Sequence, residues 1–536
     1  MALLSTAKWR SAKAISKIGY VNPFLPERIE LEKKALGPAY REEGPILRKR
    51  LGETYEDLFG NVPAMRKLAQ ELIDEIRERI EAGASATRDE LLVYENLSLY
   101  SLYARFMNSI DGIVSKEIAR ARWDGKVPFW DEFASEFDRL FHLPRHELPS
   151  RHDPAVVFAG FHQIERAFSA IYHRIFGGSM PAARLRADVW QSIFTRDMNR
   201  YIRSLHRVMS KVPTLILGPS GSGKELVASA VGRSCFIPFN KDSRSFDVGA
   251  SYAYVPINIS ALSGNLIESE LFGHKAGSFT GATKDRVGRL ATCGPSGAVF
   301  LDEIGELDLS IQVKLLRVIQ NREFTQVGGN DAVAFQGKFI AATNRDLEAE
   351  IAAGRFRHDL YYRLCADQIA TPSLAEQLSA LPEDLREMVR FVVEEIFRGS
   401  TGESTTAMSP PPSNSHIEED VELLTDDAVD WIERELGFDY AWPGNFRELG
   451  QCVRNVMIRG SYRRAASRKP MNVASPVDRF LESIRGTELS ERDLVRRYRA
   501  YAYHRSGKSY AAAASILKCD WRLIKQHDTA FLDELE

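Results

Sequence analysis

The chain has 536 residues, 44% of them hydrophobic and 27% charged, a globular balance whose length suggests about three or four domains. Its net charge of -2 excludes a whole-chain pull toward nucleic acid or anionic membrane, so any such binding must be local. Cys235, Cys293, Cys365, Cys452 and Cys519 lie far apart without a C-x-x-C pair, which argues against a metal site or disulfide framework and fits a reducing compartment.

Residues 1–190 read as helical. The N-terminus, MALLSTAKWRSAKAISKIG, is basic and has no continuous apolar stretch, so a basic helix is expected there and not a secretory signal. No apolar run approaches the about 18 residues that span a bilayer. NVPAMRKLAQELIDEIRERIEAG sets Pro63 early, Met65, Leu68, Leu72, Ile76 and Ile80 at helical spacing, and Gly83 as a stop. Thr87 and Glu90 then stand in capping-box spacing ahead of LLVYENLSLYSLYARFM. Aromatic residues recur (Tyr94, Tyr100, Tyr103, Phe106, Trp123, Trp130, Phe133, Phe137, Phe141); they suit a ligand pocket, but their helical spacing favours a packed core. Nothing here suggests a receiver domain.

From about residue 212 the pattern changes to short apolar runs, TLILG, AYVPINI, GAVFLDE and KFIAATN, each followed by a helix. That is an α/β domain with a mostly parallel sheet, expected over 191–373. Within a helical segment over 374–465, GSTGESTTAMSPPPSNSH is too polar and Pro/Ser-rich to pack, and a flexible insertion is expected over 399–416. Basic SYRRAASRKP leads into a linker over 466–487, and a last helical unit follows over 488–536.

LILGPSGSGKEL reads as a phosphate-binding loop, G-x-x-x-x-G-K-[ST], until its last polar position. Gly218, Pro219, Ser220, Gly221, Ser222, Gly223 and Lys224 fit, but Glu225 stands where a hydroxyl helps to hold Mg2+. The strand before the loop and the helix after it put backbone N–H groups where they cradle phosphates, with Lys224 reaching the β- and γ-phosphates of ATP. AVFLDE ends an apolar strand in Asp302, placed to hold Mg2+, and Glu303, placed to orient and polarise an attacking water. Asn344, closing FIAATN, is placed to sense the γ-phosphate. Arg357 and Arg363, six positions apart in GRFRHDLYYRL, suit the stabilisation of phosphoryl-transfer charge from a partner subunit, and Arg447 of WPGNFREL suits an approach from a helical lid. A chance glycine loop, a solvated acidic strand end and a salt-bridging surface helix are the bland alternatives, and the joint spacing argues against them.

ELFGHKAGSFTGA places Phe279 and Thr280 between small residues, with Lys275, Lys284 and Arg286 nearby; an exposed Phe is costly unless it meets a partner. The segment resembles the GAFTGA loop of the sigma-54-dependent transcriptional activators, the bacterial enhancer-binding AAA+ ATPases. The likeness extends to GPSGSGKELVA, NLIESELFGH, VFLDEIGELDLSIQVKLLRVIQNREFTQVGG, AATNRDL, FRHDLYYRL and WPGNFREL, over roughly 195–373 and 420–460. It implies a multidomain chain: an α-helical regulatory or sensory N-terminal domain, an α/β AAA+ P-loop ATPase with a helical lid, and a C-terminal helix-turn-helix. It implies that Glu225 is the family's usual residue, and that a ring, usually a hexamer, binds ATP and Mg2+ at each subunit boundary. Arg357 and Arg363 match trans-acting arginine fingers, and Asn258 matches the asparagine that couples the catalytic Glu303 to loop position. Gly277, Ser278, Phe279, Thr280, Gly281 and Ala282 match the sigma-54 contact, and EFTQVGGND the second pore-facing loop. Hydrolysis in that family remodels the closed sigma-54 RNA polymerase–promoter complex into the open one, in the bacterial cytoplasm. Three departures stand out: Ser278 for the usual alanine, TPSLAEQ for P-P-L-R-E-R ahead of the lid, and the Pro/Ser-rich insertion.

SYAAAASILKCDWRLIKQH reads as a helix-turn-helix, with Ala512, Ala513, Ile516 and Leu517 as packed face, Lys518 and Cys519 as turn, and Asp520 as cap of the second helix. It resembles the Fis-type unit that ends many members of the family, although the turn lacks the usual glycine and Trp521 is atypical. Arg522, Lys525 and Gln526 are the candidates to reach enhancer DNA, with Arg496, Arg497, Arg499, Arg505 and Lys508 adding positive surface. Two rivals stand beside this reading. An AAA+ remodelling ATPase acting on another protein would lack the GSFTGA segment here. A non-enzymatic repressor is opposed by the set Lys224, Asp302, Glu303, Arg357 and Arg363.

Overall fold

The structure, a computed structural model, describes residues 3–42, 60–118, 123–247, 253–262, 264–400, 415–437, 439–463, 480, 483–484, 489–529 and 531–532. They fall into two units, Met1–Tyr462 and Arg463–Glu536. Among the described residues no helix is long and apolar enough to cross a membrane.

The first unit opens with helices α1 (Thr6–Ile18), α2 (Glu27–Leu36), α3 (Val62–Glu81), α4 (Arg88–Ile118), α5 (Trp130–Phe141), α6 (Pro154–Arg174), α7 (Met180–Phe194) and α8 (Met198–Arg203). Local chemistry sets their starts. Ser5, Asp153, Ser179 and Asp197 accept from backbone N–H groups at the heads of α1, α6, α7 and α8. The Thr87–Glu90 capping box is formed, with Thr87 N–H donating to Glu90 Oε2 at 2.8 Å and Glu90 N–H to Thr87 Oγ1 at 3.3 Å. On α3, Met65, Leu72, Ile76 and Ile80 are buried as the period predicts, and Ala69 and Ile73 join them. Tyr94, Phe106, Trp130, Phe133 and Phe137 are packed core.

A five-stranded parallel sheet follows, in the order β11-β1-β10-β7-β4. The strands, with three small antiparallel hairpins, are β1 (Thr214–Leu217), β2 (Phe239–Asn240), β3 (Ser245–Phe246), β4 (Tyr254–Asn258), β5 (Gly273–His274), β6 (Arg286–Val287), β7 (Ala298–Asp302), β8 (Glu323–Thr325), β9 (Ala332–Ala334), β10 (Lys338–Thr343) and β11 (Gln368–Ala370). The four apolar runs of the sequence are four of the five sheet strands; β1, β7 and β10 are buried nearly throughout because both faces of the sheet are covered there, while the edge strand β4 alternates, with Pro256 and Asn258 exposed. One face (Leu215, Val299, Leu301, Phe339) packs on α10 (Gly264–Phe272), α11 (Leu309–Asn321) and α13 (His358–Leu364), and α12 (Leu347–Ala352) adds Leu347 to the same core. The other face (Ile216, Phe300, Ile340, Ala342) lies in one apolar cluster with α9 (Lys224–Arg233) and the N-terminal helices. The expected boundary at 190/191 therefore falls inside α7, and no break in the core marks it.

Helices α14 (Leu374–Ala380), α15 (Asp384–Ser400), α16 (Ser415–Glu435) and α17 (Asn445–Arg459) close the first unit around Leu374, Val389, Ile432, Trp442, Leu449 and Val453. TPSLAEQ forms a regular helix start, with Ser373 and Glu376 in a reciprocal capping box. The expected insertion narrows, since α15 continues to Ser400 and α16 begins at Ser415; 401–414 lie outside the described residues.

The second unit holds α18 (Glu491–Arg505), α19 (Tyr510–Leu517) and α20 (Trp521–Ile524). Most of the expected linker lies outside the described residues, but Phe480 is buried against Phe531, ring centroids 5.1 Å apart, so it belongs to this unit's core. Lys518 adopts the left-handed conformation in the turn and Asp520 caps α20, accepting from Arg522 N–H at 2.8 Å. The packed face differs from expectation. Ala513, Ala514 and Ile524 are buried while Ala512 is exposed and Ile516 is 61% exposed. Tyr510 stacks on Tyr503 at 4.4 Å, which turns positions 510, 513, 514 and 517 inward. The second helix has four residues, so Lys525 and Gln526 lie just beyond it.

Candidate functional site

The loop between β1 and α9 is shaped by steric necessity. A Cβ on Gly218, at φ +153°, would stand 2.0 Å from Thr371 Oγ1, and one on Gly221, at φ +76°, 2.4 Å from the Gly444 carbonyl oxygen. From the β11 side, Thr371 Oγ1 meets Ser222 Oγ at 2.6 Å and Thr371 N–H donates to the Leu217 carbonyl at 2.8 Å. From α17, Asn445 Nδ2 donates to the Ser220 carbonyl at 2.9 Å and Phe446 N–H to the Gly221 carbonyl at 3.1 Å. The departure TPSLAEQ and the motif WPGNFREL thus both grip the glycine loop. Thr371 and Asn445 were not singled out in the sequence. Asn445 lies inside a recognised motif, and Thr371 opens the departure TPSLAEQ.

Lys224 is the first residue of α9, and its Nζ donates to the Gly218 and Pro219 carbonyls at 3.0 and 3.1 Å. Asp302 ends β7, next to β10 and β4. Glu303 sits at φ +57°, ψ +50°, a left-handed conformation unusual for a side chain of its size. Its N–H donates to Asp302 Oδ1 at 3.1 Å, and its Oε2 accepts from Asn344 N–H at 3.2 Å. Burial lowers the Lys224 amine, an effect that Glu303 and then Asp302 oppose. Burial raises the Asp302 carboxyl, opposed by Lys224 and by the Glu303 N–H, while Glu225 raises it further and Arg447 lowers it. Arg447 Nη1 also reaches Ser220 Oγ at 3.5 Å. Lys224, Glu225, Asp302, Glu303, Asn344 and Arg447 therefore share one neighbourhood. Its acidic side chains offer oxygen donors, the set suited to Mg2+.

Asn258 is the register partner of Asp302, but its side chain accepts from Ala261 N–H at 3.3 Å and caps a short 3-10 turn. Glu303 is held by the Asn344 backbone and not by Asn258. Arg357 forms a two-pronged pair with Asp359 (3.0 and 2.7 Å), and its N–H donates to Gln312 Oε1 at 2.8 Å. Arg363 is exposed on α13. Neither arginine is among the charges acting on Lys224 or Asp302.

The GSFTGA segment connects β5 to β6. Asp285 fixes its base, accepting from Lys275 Nζ at 3.0 Å and Ala276 N–H at 2.8 Å, and Gly277 N–H donates to the Ala282 carbonyl at 2.7 Å. Thr280 and Gly281 are exposed at the tip while Ala282 is buried. Phe279 is 40% exposed, with its ring against His274 at 4.9 Å. Ser278 Oγ donates to the Lys275 carbonyl at 2.7 Å. Its Cβ lies where a side chain on Gly328, in the β8–β9 loop, would come within 2.5 Å. Lys275 N–H also donates to the Val327 carbonyl at 3.0 Å, so the two loops are bonded side by side.

In the second unit Arg522, Lys525 and Gln526 are exposed. Lys525 Nζ lies 4.8 Å from the Trp521 ring centroid and the Arg522 guanidinium 5.9 Å from it. Arg497 is paired with Asp528 at 3.5 Å.

Residues 193–370 match the Sigma-54 interaction domain family. The Nif-specific regulatory protein of Azotobacter vinelandii is 40% identical over 265 residues, 49% of this chain and 43% of that protein. The transcriptional regulatory protein ZraR of Escherichia coli K12 is 38% identical over 255 residues, 47% of this chain and 49% of that protein. The match thus covers less than half the length of either relative. Among solved structures, NtrX from Brucella abortus aligns with a TM-score of 0.37 at 23% identity, over 76% of this chain and 80% of that one.

Proposed function

We propose, because residues 193–370 match the sigma-54 interaction domain family, that the chain is a sigma-54-dependent transcriptional regulator of the bacterial cytoplasm. In this reading it hydrolyses ATP to remodel the closed sigma-54 RNA polymerase complex into an open one, and it binds upstream DNA through its C-terminal unit. The observation that carries this reading is the meeting of Lys224, Asp302, Glu303 and Asn344 at the carboxyl ends of adjacent parallel strands, where open α/β sheets take their ligands.

The loop from Gly218 to Gly223 and the head of α9 would cradle the phosphates, with Lys224 on the β- and γ-phosphates and Arg447 approaching from the lid. Asp302 would hold Mg2+, which when bound neutralises charge on the phosphates. Glu303, its carboxylate held by the Asn344 N–H, would orient and polarise the attacking water. In a ring of several copies, with a hexamer as the reading, Arg357 and Arg363 act on the neighbouring copy's nucleotide, which requires Arg357 to leave Asp359. Asn258, whose Oδ1 accepts from Ala261 N–H, would couple Glu303 to the loops through its amide NH2. Phe279 and Thr280 meet sigma-54, and the pairing of the GSFTGA segment with the 326–331 loop makes the two move together. Arg522, Lys525 and Gln526 contact DNA.

Glu303→Gln should keep ATP binding and lose about 10²- to 10⁴-fold in hydrolysis; near-wild-type turnover would remove Glu303 from the chemistry. Phe279→Ala and Thr280→Ala should leave hydrolysis and assembly intact and abolish nucleotide-dependent sigma-54 binding. Full open-complex formation by Phe279→Ala would sink the activator reading.

A further inference from the structure

Trp521 follows the cap Asp520 directly, at the start of α20, and stands 46% exposed. Ile524 of the same helix is fully buried, so the turn after the cap presents Trp521, Arg522, Leu523, Lys525 and Gln526 outward. Trp521 belongs to neither of the apolar clusters found among the described residues of this unit. Its neighbours are cations instead. Lys525 Nζ lies 4.8 Å from its ring centroid and 5.9 Å from that of Tyr510, and the Arg522 guanidinium lies 5.9 Å from the indole. These contacts steady the ring without covering it. The acidic residues on either side of this surface in the chain already have partners: Asp520 accepts from Arg522 N–H at 2.8 Å and Asp528 pairs with Arg497 at 3.5 Å. An exposed aromatic set among two cations and an amide suits a nucleic-acid interface. It suits a protein-docking patch poorly, because charged side chains are depleted from the centre of such patches.

In the helix-turn-helix reading of this unit, the first residues of the second helix meet base edges in the major groove, and Trp521 holds the first position. The apolar group that a base pair offers there is the 5-methyl of thymine, and beside it stands the acceptor O4. An indole has an apolar ring, one N–H donor and no acceptor, so it matches that pair of groups. Cytosine offers an amino donor in the same place and no methyl, which leaves both halves of the indole unmatched. Guanine and adenine offer polar groups alone, so the ring would lose water and gain no apolar partner.

We propose that Trp521 is a specificity-determining residue that reads one thymine in the major groove, its ring against the 5-methyl group and its N–H on O4. The inference rests on the DNA-binding reading above and adds to it the base that the unit selects. Arg522 and Lys525, beside the ring, hold phosphates on any sequence, and Trp521 chooses among sequences.

The test uses the full chain and a duplex that it selects from a random-sequence library. Each thymine of the selected site is replaced in turn by deoxyuridine, which lacks only the methyl group. At one position this should weaken binding about fourfold, the contribution of one buried methyl group. Cytosine at that position should weaken it about tenfold or more. Trp521→Ala should bind the selected site more weakly and no longer distinguish thymine from deoxyuridine there. Trp521→Phe, which keeps a ring and loses the N–H, should retain part of the deoxyuridine effect. Both variants should keep the salt slope of the wild type, because neither removes a charge. A wild-type chain that binds no duplex DNA overturns the DNA-binding reading and this proposal with it. DNA binding without selection, a selected site indifferent to deoxyuridine at every thymine, or deoxyuridine effects that all survive in Trp521→Ala overturn the proposal and leave DNA binding standing. Equal weakening of Trp521→Ala on selected and unrelated DNA does the same. So does unchanged selection by Trp521→Ala with altered self-association, which would make the indole a protein contact.

Discussion

The helical regions at the two ends of this chain differ in what their inward positions carry. At the N-terminal end those positions are large: Tyr94, Phe133, Phe158 and Tyr201 are fully buried, and their cluster runs without a break into Ile216, Val231 and Phe300 of the central domain. Among the described residues of the C-terminal unit the buried positions are Ala500, Ala502, Ala513, Ala514 and Ile524 beside Phe480 and Phe531, while Tyr498, Ile516 and Trp521 stand exposed. Helical periodicity is present in both. Residue size at the inward positions separates a region that shares its stability with the sheet from one that must stand on a small core of its own.

The largest effect that sharpens this contrast is expected from Phe158→Ala. Phe158 is fully buried and meets Phe133 at 4.8 Å and, across the N-terminal boundary, Phe239 at 4.9 Å and Phe246 at 5.8 Å on the β2–β3 hairpin. A loss of about 3–5 kcal/mol is expected, in one transition shared with the nucleotide-binding region. Ile524→Ala should destabilise the C-terminal unit and leave that transition in place. Calorimetry resolves the two. Separate melting of the N-terminal helices in Phe158→Ala would break the claim of a shared core.

A smaller effect comes from pH. Glu165 of α6 is buried, and burial pushes its carboxyl up to about 8, although the Tyr103 hydroxyl pulls it down. Its folded value exceeds the ordinary 4.5, so the stability tied to its proton is fully present below about 4.5 and lost as pH rises toward about 8. Burial lowers His162, which acts in the opposite sense below 6.5, so the window above pH 7 isolates Glu165. Between pH 7 and 8 the wild type should lose about 1 kcal/mol relative to Glu165→Gln. Parallel stability curves would show that Glu165 does not carry that proton. No buried carboxylate occurs among the described residues of the C-terminal unit, and its melting should be flat over the same window.

Much of this was legible in the sequence, and the gaps have physical causes. Short apolar runs announced β1, β4, β7 and β10, while β11 has only three residues, Gln368–Ala370, too short to carry a pattern. The helical period located α3 to within a residue or two, and the capping box located the start of α4, which runs on to Ile118, well past the stretch read as helical. It failed at α19 because four consecutive alanines carry no amphipathic signal, and contact between Tyr510 and Tyr503 decides the rotation. At the candidate site the spacing placed Lys224, Asp302, Glu303 and Asn344 on successive strand ends, since each residue follows its own apolar run. The grip of Thr371 and Asn445 on the glycine loop was not legible, because it arises only when residues far apart in the chain are folded together. Tyr100 and Tyr103 read as core by their spacing, and only the packing of the N-terminal helices shows that both line a cavity of about 150 Å3.

The smallest expected change in stability, and the sharpest test of what the C-terminal unit does, is the pair Arg522→Ala with Lys525→Ala. Both side chains are exposed, so folding should change by no more than about 0.5 kcal/mol. Lys525 rests over Trp521, which is itself 46% exposed, and its ammonium is presented at the surface with no ion pair among the described residues. If these residues neutralise DNA phosphates, each contributes about 0.9 to the slope of log affinity against log salt. Their joint loss should flatten that slope by about 2 and weaken binding at low salt most. Gln526→Ala, which removes no charge, should leave the slope untouched and change only discrimination between sequences, if Gln526 reaches a base edge. A slope unchanged in the double variant would leave the unit a small helical bundle with a solvated basic face. The contrast between the two ends of the chain would then be one of packing alone, with no division of labour behind it.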